Sequence, residues 1–408
     1  MIRTAVDSAR LQADLDALAE FREPDTKGWT RRVFSPAYVR SREWVASRMR
    51  EAGLAVKTDA AGNLVGTLPG SSGGLLATGS HSDTVAGGGR FDGPLGVLAA
   101  IEVARCIRDS SRALEHELRV VDFLGEEPND FGLSCIGSRA IAGTLTAEHL
   151  ASRDTSGRTL AEAIASAGGD PRRIVGSAWA PGSVSAFVEL HIEQGPVLED
   201  AGIPLGIVSG IAGIERVQAT FTGEAGHAGT TPMDARHDAL CAAADAVLAV
   251  ERLASAGGVG TTGRLEVFPG AANVVPGKAE MWAEFRSIDG AWLDERHERF
   301  AQAAVAAGAR RGVAASTRRL SRTEPVTTSA EVRAAMTRAI EGLGLAFRVL
   351  ASGAGHDAVQ MALLGPVGML FVPSAAGRSH CPEEWTAPEH VEAGASALLA
   401  TILALDSR

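Results

Sequence analysis

The stretch LLATGSHSDTVAGGGRFDGPLGVLAAIEVARCI, residues 75–107, decides the fold class of this chain. Its first part, LLATGSH, predicts a short buried strand, and a glycine-rich loop then leads into an apolar helix from Leu95 to Ile107. Another apolar strand, LRVVDFLGEE, follows at residues 118–127. Alternation of apolar strands with helices predicts an α/β sheet that is flanked by helices.

Two local patterns precede this stretch. Residues 37–53, AYVRSREWVASRMREAG, place apolar side chains at helical spacing and end at Gly53, a residue that favours a helix C-cap. Residues 54–70, LAVKTDAAGNLVGTLPG, alternate apolar and polar side chains around a turn. That pattern predicts a β-hairpin.

The order of the elements changes after Gly210. From there to Pro325 the patterns predict the order βαββαβ over about 115 residues, which is the signature of a ferredoxin-like unit. The predicted elements are a strand at 215–223, a helix from roughly Arg236 to Ser255, strands at 262–270 and 278–286, a helix from Ala291 to Gly312 and a strand at 313–320. This segment is therefore predicted to be an inserted domain.

The α/β pattern resumes after Pro325, with a helix near 330–342 and strands at 347–353 and 367–374. We therefore predict a discontinuous α/β domain formed by residues 1–210 and 326–408. The inserted domain is predicted to comprise residues 211–325.

Composition excludes several classes of protein. The 408 residues predict two to four folding units, and 45% apolar with 22% charged residues is typical of a globular chain. A net charge of −10 offers no basic surface for nucleic acid or anionic lipid. The first residues alternate charged and apolar side chains, and no apolar stretch is long enough to span a bilayer, so neither a signal peptide nor a membrane segment is predicted. Four cysteines without CxxC spacing favour a cytoplasmic location.

Polar residues stand where the predicted strands end. His81 and Asp83 lie two residues apart at the end of one strand, so both side chains are expected on the same face of the sheet. Asp92 follows in the glycine-rich loop. Sites in open α/β sheets form outside the carboxyl ends of strands, where this segment lies. A lone histidine at such a place is more often a hydrogen-bonded structural residue, and only its neighbours favour a functional role.

Those neighbours form a set of potential metal ligands. The adjacent carboxylates Glu126 and Glu127 end a second apolar strand, and burying them is costly unless a positive charge compensates them. His191 ends a third strand, and His380 follows a fourth. Zinc and similar metals take imidazole and carboxylate ligands, and a pair of ions needs roughly six, of which one carboxylate can bridge. The chain nearly supplies that set, with Glu126 left over.

Several motifs together resemble a known family. They are GSHSDTVAGGGRFDG, GEEP, ELHIEQGPVLE, GEAGHAGTTPM, ANVVPG, SGAGHDA and SHCPEE, in that order, between about residues 35 and 395. The chain resembles the amidase/hydantoinase/carbamoylase branch of the M20 di-metal hydrolases, which includes N-carbamoyl-L-amino-acid hydrolases, β-ureidopropionase and allantoate amidohydrolase. HIEQG with GHAGTTPM separates this branch from ordinary aminopeptidases and deacylases. The resemblance implies that residues 1–210 and 326–408 form a metal-dependent exopeptidase-like catalytic domain. It also implies that the inserted ferredoxin-like domain, residues 211–325, is a lid and dimerisation domain that closes through hinges near its two ends.

The resemblance also implies roles for the strand-end residues. Zinc, or manganese, cobalt or nickel, would occupy two sites that share Asp92 as a bridging ligand. Asp83 would orient His81 from behind. Glu126 would be the general base, which takes a proton from the attacking water and passes it to the leaving nitrogen. The implied ligand sets are His81, Asp92 and His191 for one ion, and Asp92, Glu127 and His380 for the other.

Substrate-binding roles follow from the same resemblance. Gln194 would pair with a ureido group, and His227 would act on the carbonyl oxygen as an oxyanion donor. Asn273 would contact the substrate, and the Arg286 guanidinium would bind its carboxylate in bidentate fashion. The backbone amides of Gly353 and Gly355 would approach that carboxylate, whereas His356 is expected to be structural. Cys381 departs from the asparagine that often follows the ligand histidine in the family.

The predicted activity is hydrolysis of an N-carbamoyl-L-amino acid to the amino acid, ammonia and carbon dioxide, carried out by a homodimer. Allantoate amidohydrolase is the close rival, because both substrates carry a ureido group near a carboxylate. An M20 deacylase or dipeptidase is a third possibility that HIEQG weakens. A non-catalytic dimeric binding protein is the alternative from another class, and the complete ligand set with Glu126 intact argues against it.

Overall fold

The computed structural model describes residues 5–71, 73–254 and 257–407. The chain folds into two compact units, of which the first comprises Met1–Ser209, Thr328–Leu350 and His356–Arg408, and the second Gly210–Thr327 and Ala351–Gly355. The segment Ala351–Gly355, which the sequence places in the catalytic domain, therefore lies with the second unit. The reason is local, because the carbonyl of Gly353 accepts a hydrogen bond from Arg286 at 3.0 Å. None of the helices in the described ranges combines the length and the apolar character needed to cross a membrane.

The α-helices of the described residues are, in chain order, α1 Ser8–Ala19, α2 Pro36–Glu51, α3 Pro94–Asp109, α4 Ile136–Ile141, α5 Ala147–Ala151, α6 Leu160–Ser166, α7 Val197–Ala201, α8 Ala239–Ala254, α9 Gly290–Ala309, α10 Ala330–Gly342, α11 Ala358–Met361 and α12 Pro388–Asp406. Short 3₁₀ helices occupy Pro171–Gly176, Met233–Ala235 and Ala375–Gly377. The predicted helices at 37–53, 95–107 and 330–342 are confirmed as α2, α3 and α10.

The strands of the same residues are β1 Ala55–Thr58, β2 Leu64–Leu68, β3 Leu75–His81, β4 Glu117–Phe123, β5 Ala186–Ile192, β6 Leu205–Ile211, β7 Gly213–Thr222, β8 Gly226–His227, β9 Val259–Phe268, β10 Val274–Val275, β11 Lys278–Ser287, β12 Ala314–Thr323, β13 Val326–Thr327, β14 Phe347–Ser352 and β15 Val367–Val372. The hairpin predicted at 54–70 is confirmed by the antiparallel pairing of β1 with β2.

The sheet of the first unit runs in the order β1-β2-β4-β3-β5-β15-β6, with β14 also paired to β6. Within it, β3 is parallel to β4 and β5, and β15 is parallel to β5. In register, His81 lies opposite Phe123, and His191 lies opposite Phe371. The carboxyl ends of these four strands therefore meet at one edge of the sheet.

Helix α3 packs on this sheet and begins directly behind the glycine-rich loop. Pro94 occupies its first turn, where a missing N–H costs nothing. The preceding Gly93 has φ of +82°, and a Cβ there would lie 2.3 Å from the ring of His81. Only glycine therefore allows the chain to turn into α3 while the His81 ring stays in place.

Two predicted strand ends differ from the structure. Strand β4 ends at Phe123, so Glu126 and Glu127 stand in the following loop, where Gly125 turns the chain with φ of +60°. Strand β3 ends at His81, and Asp83 likewise lies beyond it. The side chains still reach the edge of the sheet, but loops rather than strand alternation set their directions.

The second unit confirms the predicted βαββαβ order through β7, α8, β9, β11, α9 and β12. Its antiparallel sheet has the order β12-β7-β11-β9, and β8 pairs with β10 outside it. Helix α8 begins at Ala239 instead of Arg236, because the Arg236 side chain donates to the carbonyls of Ala228 and Thr231 at the preceding turn. The predicted end of this helix at Ser255 lies outside the described residues.

Candidate metal centre and active site

The carboxyl ends of β3, β4, β5 and β15 bring the predicted ligands together. The ligand atoms of His81, Asp92 and His191 lie within 4.8 Å of one another, and those of Asp92, Glu127 and His380 form a second such group. Asp92 belongs to both groups. Its Oδ1 lies 3.2 Å from His191 Nε2, and its Oδ2 lies 3.3 Å from His380 Nε2. The geometry therefore matches two adjacent cation sites with a shared carboxylate.

The two buried imidazoles present the correct nitrogen to a cation. His81 Nδ1 lies 3.1 Å from the carbonyl of Asp83, and His191 Nδ1 lies 2.9 Å from that of Ile192. A carbonyl only accepts, so each Nδ1 carries a hydrogen and each Nε2 faces the Asp92 carboxylate. His191 Nε2 is buried and has no hydrogen bond of acceptable geometry to any described residue. An imidazole Nε2 that faces a carboxylate can give its lone pair to a divalent cation held between the two groups.

The electrostatics of the cluster lead to the same conclusion. Burial raises the pKa of Glu127, and the negative charge of Asp92 raises it further. Burial opposes ionisation of Asp92, but His191, His380 and His81 together outweigh it and hold the pKa of Asp92 well below its usual value. Burial lowers the pKa of His191, yet the facing Asp92 raises it to about 9. Without a cation, a proton on His191 compensates the Asp92 charge, and a divalent cation can replace that proton.

Glu126 belongs to neither ligand group among the described residues. Its carboxylate lies beside the first group, with Oε2 at 3.7 Å from His81 Nε2. The thiol of Cys135 lies 3.5 Å from its Oε1 and can donate a weak hydrogen bond. Burial raises the pKa of Glu126 well above its usual value, and the charge of Glu127 adds to the effect. A buried carboxyl group beside the ligands, but not among them, is suited to proton transfer.

Asp83 contacts His81 differently from the predicted arrangement. Its backbone carbonyl accepts from His81 Nδ1, while its carboxylate oxygen lies 3.7 Å from the same nitrogen. The carboxylate instead accepts the backbone N–H groups of Glu126 and Glu127, each at 3.3 Å. These bonds join the loop after β3 to the loop after β4, a segment that the sequence pattern predicts to be strand. Asp83 therefore fixes the backbone of the two acids as well as the tautomer of His81.

Gln194 lies in the same cluster. Its Nε2 donates to Asp92 Oδ2 at 2.6 Å, and its Oε1 is buried without a hydrogen-bond partner among the described residues. The residue has φ of +59°, in the left-handed region. An unpaired amide oxygen beside the ligands can accept an N–H group from a bound molecule.

The predicted substrate residues of the second unit separate into two places. His227 on β8 pairs in register with Val274 on β10, and the carbonyl of Asn273 accepts the N–H of Ala228 at 3.0 Å. His227 and Asn273 therefore lie together, near the end of β11 that Lys278 begins. Arg286 stands at the opposite end of β11, roughly 25 Å away at about 3.3 Å per strand residue. Within the second unit of a single chain, therefore, Arg286 does not lie beside His227 and Asn273.

Arg286 is held by its neighbours at that end. Its Nε and Nη2 approach Glu284 Oε1, each at 2.7 Å, and its Nη1 donates to the carbonyl of Gly353 at 3.0 Å. A Cβ added to Gly353 or Gly355 would meet no described atom within 4 Å. The predicted Arg286 and Gly353 are therefore adjacent, with open space around the two glycines.

Two further predicted residues lie beside the cluster. The His356 ring is buried, and its centroid lies 4.6 Å from the centroid of the His191 ring. It also packs against Phe371. Together with Glu189 and His191, His356 also forms a third group whose ligand atoms lie close together. Cys381 is half-buried, and its thiol forms no disulfide. Its backbone carbonyl accepts the N–H of Glu384 at 3.2 Å.

Sequence reasoning missed Ser379 and Glu384. Ser379 Oγ donates to Asp92 Oδ2 at 2.5 Å, and Glu384 Oε1 accepts the N–H groups of Phe91 and Asp92. Both residues belong to the SHCPEE motif, but no spacing rule links that loop to the glycine-rich loop. Only the parallel placement of β3, β5 and β15 brings the two loops into contact.

Comparison with known proteins now identifies the family. The model of Peptidase family M20/M25/M40 matches residues 77–404. The chain belongs to this family. Members of the M20 family are generally metal-dependent, and this M20 chain has the ligand groups described above. The resemblance and the α/β fold class predicted from the sequence are therefore confirmed.

Individual M20 relatives are similar over nearly the whole chain. An N-carbamoyl-L-amino acid amidohydrolase from Geobacillus stearothermophilus is 44% identical over 401 residues, which cover 97% of this chain and 98% of the relative. A ureidoglycolate hydrolase from Oryza sativa subsp. japonica is 38% identical over 407 residues, 96% of this chain and 84% of the relative. The crystal structure of an amidase of the hydantoinase/carbamoylase family from Burkholderia multivorans has a TM-score of 0.92 at 33% identity, with 99% of each chain covered.

Proposed function

We propose that the chain is a metal-dependent amidohydrolase that cleaves the ureido C–N bond of an N-carbamoyl-L-amino acid. The products are the amino acid, ammonia and carbon dioxide. The observation that carries the proposal is the pair of ligand groups that share Asp92, with Glu126 buried beside them and outside both. The similarity to the Geobacillus stearothermophilus relative supports the choice of substrate class.

The ligand sets support two divalent cations per chain, zinc or else manganese, cobalt or nickel. His81, Asp92 and His191 would hold one ion, and Asp92, Glu127 and His380 the other. When bound, such ions polarise a carbonyl group and lower the pKa of water. Asp83 supports both sets, because it orients His81 through its carbonyl and the Glu127 backbone through its carboxylate.

Glu126 is proposed as the general base. It would take a proton from the attacking water at its carboxylate and deliver that proton to the leaving nitrogen. Asp83 holds the Glu126 backbone, and the Cys135 thiol lies against the carboxylate, so its position is defined on two sides. A carboxylate held in this way loses little conformational freedom when the substrate binds.

Two side chains are proposed to recognise the substrate. Gln194 Oε1 would accept an N–H of the ureido group, for which it has no competing partner among the described residues. Arg286 would bind the carboxylate, because Glu284 and Gly353 hold its planar guanidinium in one orientation and leave further N–H groups to donate. Gly353 and Gly355 would line the open space around that carboxylate. This assignment requires a substrate with both a ureido group and a carboxylate.

We further propose a homodimer that is joined through the second unit. His227 and Asn273 stand roughly 25 Å from Arg286 along β11, too far for one small substrate to contact both places. In a dimer the two places can serve different active sites, so that one chain supplies Arg286 to a substrate whose carbonyl is bound by His227 of the other chain. A cytoplasmic location stays a prediction from the cysteine pattern.

Mixed dimers test this arrangement. His227→Ala and Arg286→Ala chains, each nearly inactive alone, are unfolded together, refolded and assayed against each parent. If the two residues serve different sites, each mixed dimer contains one intact site, and the mixture regains about a quarter of wild-type activity at random pairing. If the refolded mixture regains no activity, then either both residues belong to the same active site of one chain or the protein is a monomer.

A substrate screen tests the activity itself. Ammonia release is measured for N-carbamoyl-L-amino acids, allantoate and ureidoglycolate, with N-acetyl amino acids as the control, in the presence of zinc, manganese, cobalt or nickel. We expect release from N-carbamoyl-L-amino acids and none from the control compounds. Faster turnover of allantoate or ureidoglycolate would change the substrate assignment, whereas amino acid release from the N-acetyl compounds alone would indicate a deacylase. Absence of turnover in every arm would favour the non-catalytic binding protein.

A further inference from the structure

Glu384 connects two loops of the first unit that carry different ligands. It follows His380 by four residues, yet its Oε1 accepts the backbone N–H groups of Phe91 at 2.7 Å and Asp92 at 3.1 Å. The residue is only 2% exposed. A buried carboxylate with two backbone donors fixes the position of those donors, since losing it would leave both N–H groups unpaired.

Ser379, on the other side of His380, makes the second half of the connection. Its Oγ lies 3.0 Å from Glu384 Oε2 and donates to Asp92 Oδ2 at 2.5 Å. Ser379 and Glu384, which lie on either side of His380 in the sequence, are therefore both hydrogen-bonded to the segment that contains Asp92. Such a connection fixes the separation between the backbone of His380 and the backbone of Asp92.

The surroundings of Glu384 are shaped to hold its side chain. A Cβ added to Gly89 would lie 2.1 Å from Glu384 Cδ and 2.4 Å from its Cβ. Real Cβ atoms do not approach so closely, so no other residue at position 89 leaves Glu384 in place. The glycine-rich loop thus closes around this carboxylate.

His380 needs such support more than the other ligands do. Its side chain is 46% exposed, whereas those of His81 and His191 are each 1% exposed. Its backbone has φ of +57°, in the left-handed region that non-glycine residues rarely adopt. Core packing therefore fixes the first ligand group, while the second depends on the conformation of a loop.

We propose that Glu384 is a positioning residue that holds His380 and Asp92 at the separation needed to bind the ion of the second ligand group. The inference rests on the proposed metal-dependent function. It assigns Glu384 no contact with the ion or the substrate.

Zinc titration of the metal-stripped full-length protein, in competition with a chromophoric chelator, tests the proposal. Glu384→Ala should lower the affinity for one of the two zinc ions by about 10- to 100-fold and leave the affinity for the other unchanged. A loss of that size is typical when a residue that supports a metal ligand is replaced. Glu384→Gln keeps the shape and one acceptor oxygen, so it should restore most of the affinity. Glu383→Ala is the matched control, because Glu383 is the exposed neighbour and its loss removes the same charge. Circular dichroism of each stripped protein establishes that it is folded.

Gly89→Ala provides a second route to the same result. The added methyl group should displace the Glu384 side chain without changing its chemistry, and it should lower the affinity for the same zinc ion. Wild-type affinity for both ions in a folded Glu384→Ala protein would overturn the proposal, and so would an equal loss in Glu383→Ala. If Glu384→Ala does not fold, Gly89→Ala decides by the same criterion. A wild-type chain that binds none of zinc, manganese, cobalt and nickel in the same titration would instead refute the metal-dependent function itself.

Discussion

The two units of the chain both combine strands with helices, but they distribute functional side chains differently. In the first unit, β3, β4, β5 and β15 are parallel, so the residues after them gather at one edge. In the second unit the strands of the sheet are antiparallel, and successive loops leave from opposite ends. Polar residues that follow strands therefore form one cluster in the first unit and two separate clusters in the second.

The burial of the strands differs in the same way. All seven residues of β3 and of β5 are buried, because helices and neighbouring strands cover both faces. Along β11 buried residues alternate with partly exposed ones, because only one face is covered. The first unit thus provides a rigid, water-poor frame for charged groups, and the second provides an accessible surface. Four predictions test whether function divides in the same way.

The largest effect is expected from removing the shared ligand. Asp92→Ala should lose both ions and all measurable turnover, whereas His380→Ala and Glu127→Ala should each lose mainly one ion. Elemental analysis of the purified proteins gives the ion count, and a chelator should inactivate the wild type reversibly. An active, metal-replete wild type with one ion per chain or none would contradict the two-ion proposal.

The next effect concerns proton transfer within the same unit. Glu126→Gln keeps the shape of the side chain but cannot accept a proton, so kcat should fall at least ~10²-fold. Steady-state kinetics measure the loss, and metal content should stay at the wild-type value. Near-normal turnover would show that the base is another group, with Glu127 the first alternative.

A smaller effect is expected at the Arg286 end of the second unit. Lysine keeps the charge of Arg286 but loses the planar guanidinium that can donate two hydrogen bonds to one carboxylate. Such charge-assisted hydrogen bonds contribute about 1.5–3 kcal/mol. Arg286→Lys should therefore lower kcat/KM for the carboxylate substrate at least tenfold. The corresponding carboxamide substrate should be barely affected. Equal losses on both compounds would mean that Arg286 supports its own unit through Glu284 and Gly353, and the substrate assignment would fall with it.

The smallest effect separates the stability of the two units. Asp289 caps α9 by accepting the N–H groups of Ala291 and Trp292, at 2.9 Å and 3.1 Å. Asp289→Ala should therefore cost about 1 kcal/mol in the free energy of unfolding. Metal content should not change. Ser329→Ala, at the cap of α10 in the first unit, is the matched control, and denaturant unfolding followed with and without zinc measures both. If the units unfold separately, zinc should raise the free energy of unfolding of the first unit, in the wild type and in Ser329→Ala alike, and leave that of the second unit unaltered.

The clustering of the proposed metal ligands could be predicted from the sequence because its physical basis is simple. Buried parallel strands are recognisable as apolar runs, and their carboxyl ends must share one edge. His81 and His191 lie at the ends of such runs, and Asp92, Glu127 and His380 lie in the loops that follow β3, β4 and β15. Their gathering at one edge of the sheet therefore follows without knowledge of the detailed packing. The βαββαβ order of the second unit was predictable for a similar reason, since hydrophobic periodicity reports each element locally.

Contacts between loops could not be predicted in the same way. The carboxylate of Asp83 binds the Glu126 and Glu127 backbone, and Glu384 binds the backbone of the Asp92 loop, although no sequence spacing relates these pairs. The same is true of Arg42, which reaches Asp122 at 2.9 Å inside the first unit. Polar partners of this kind depend on which loops meet after the sheet has formed.

The sequence by itself determined the two folding patterns and the chemistry of the cluster, because apolar periodicity and residue type are local properties of the chain. Tertiary structure alone decided that Gly353 lies against Arg286, that His227 and Asn273 stand at the far end of β11, and that Glu384 supports the Asp92 loop. The physical reason is that strand order, strand direction and loop contacts are set by long-range pairing. The free energy of that pairing is distributed over the whole core, and no single motif encodes it.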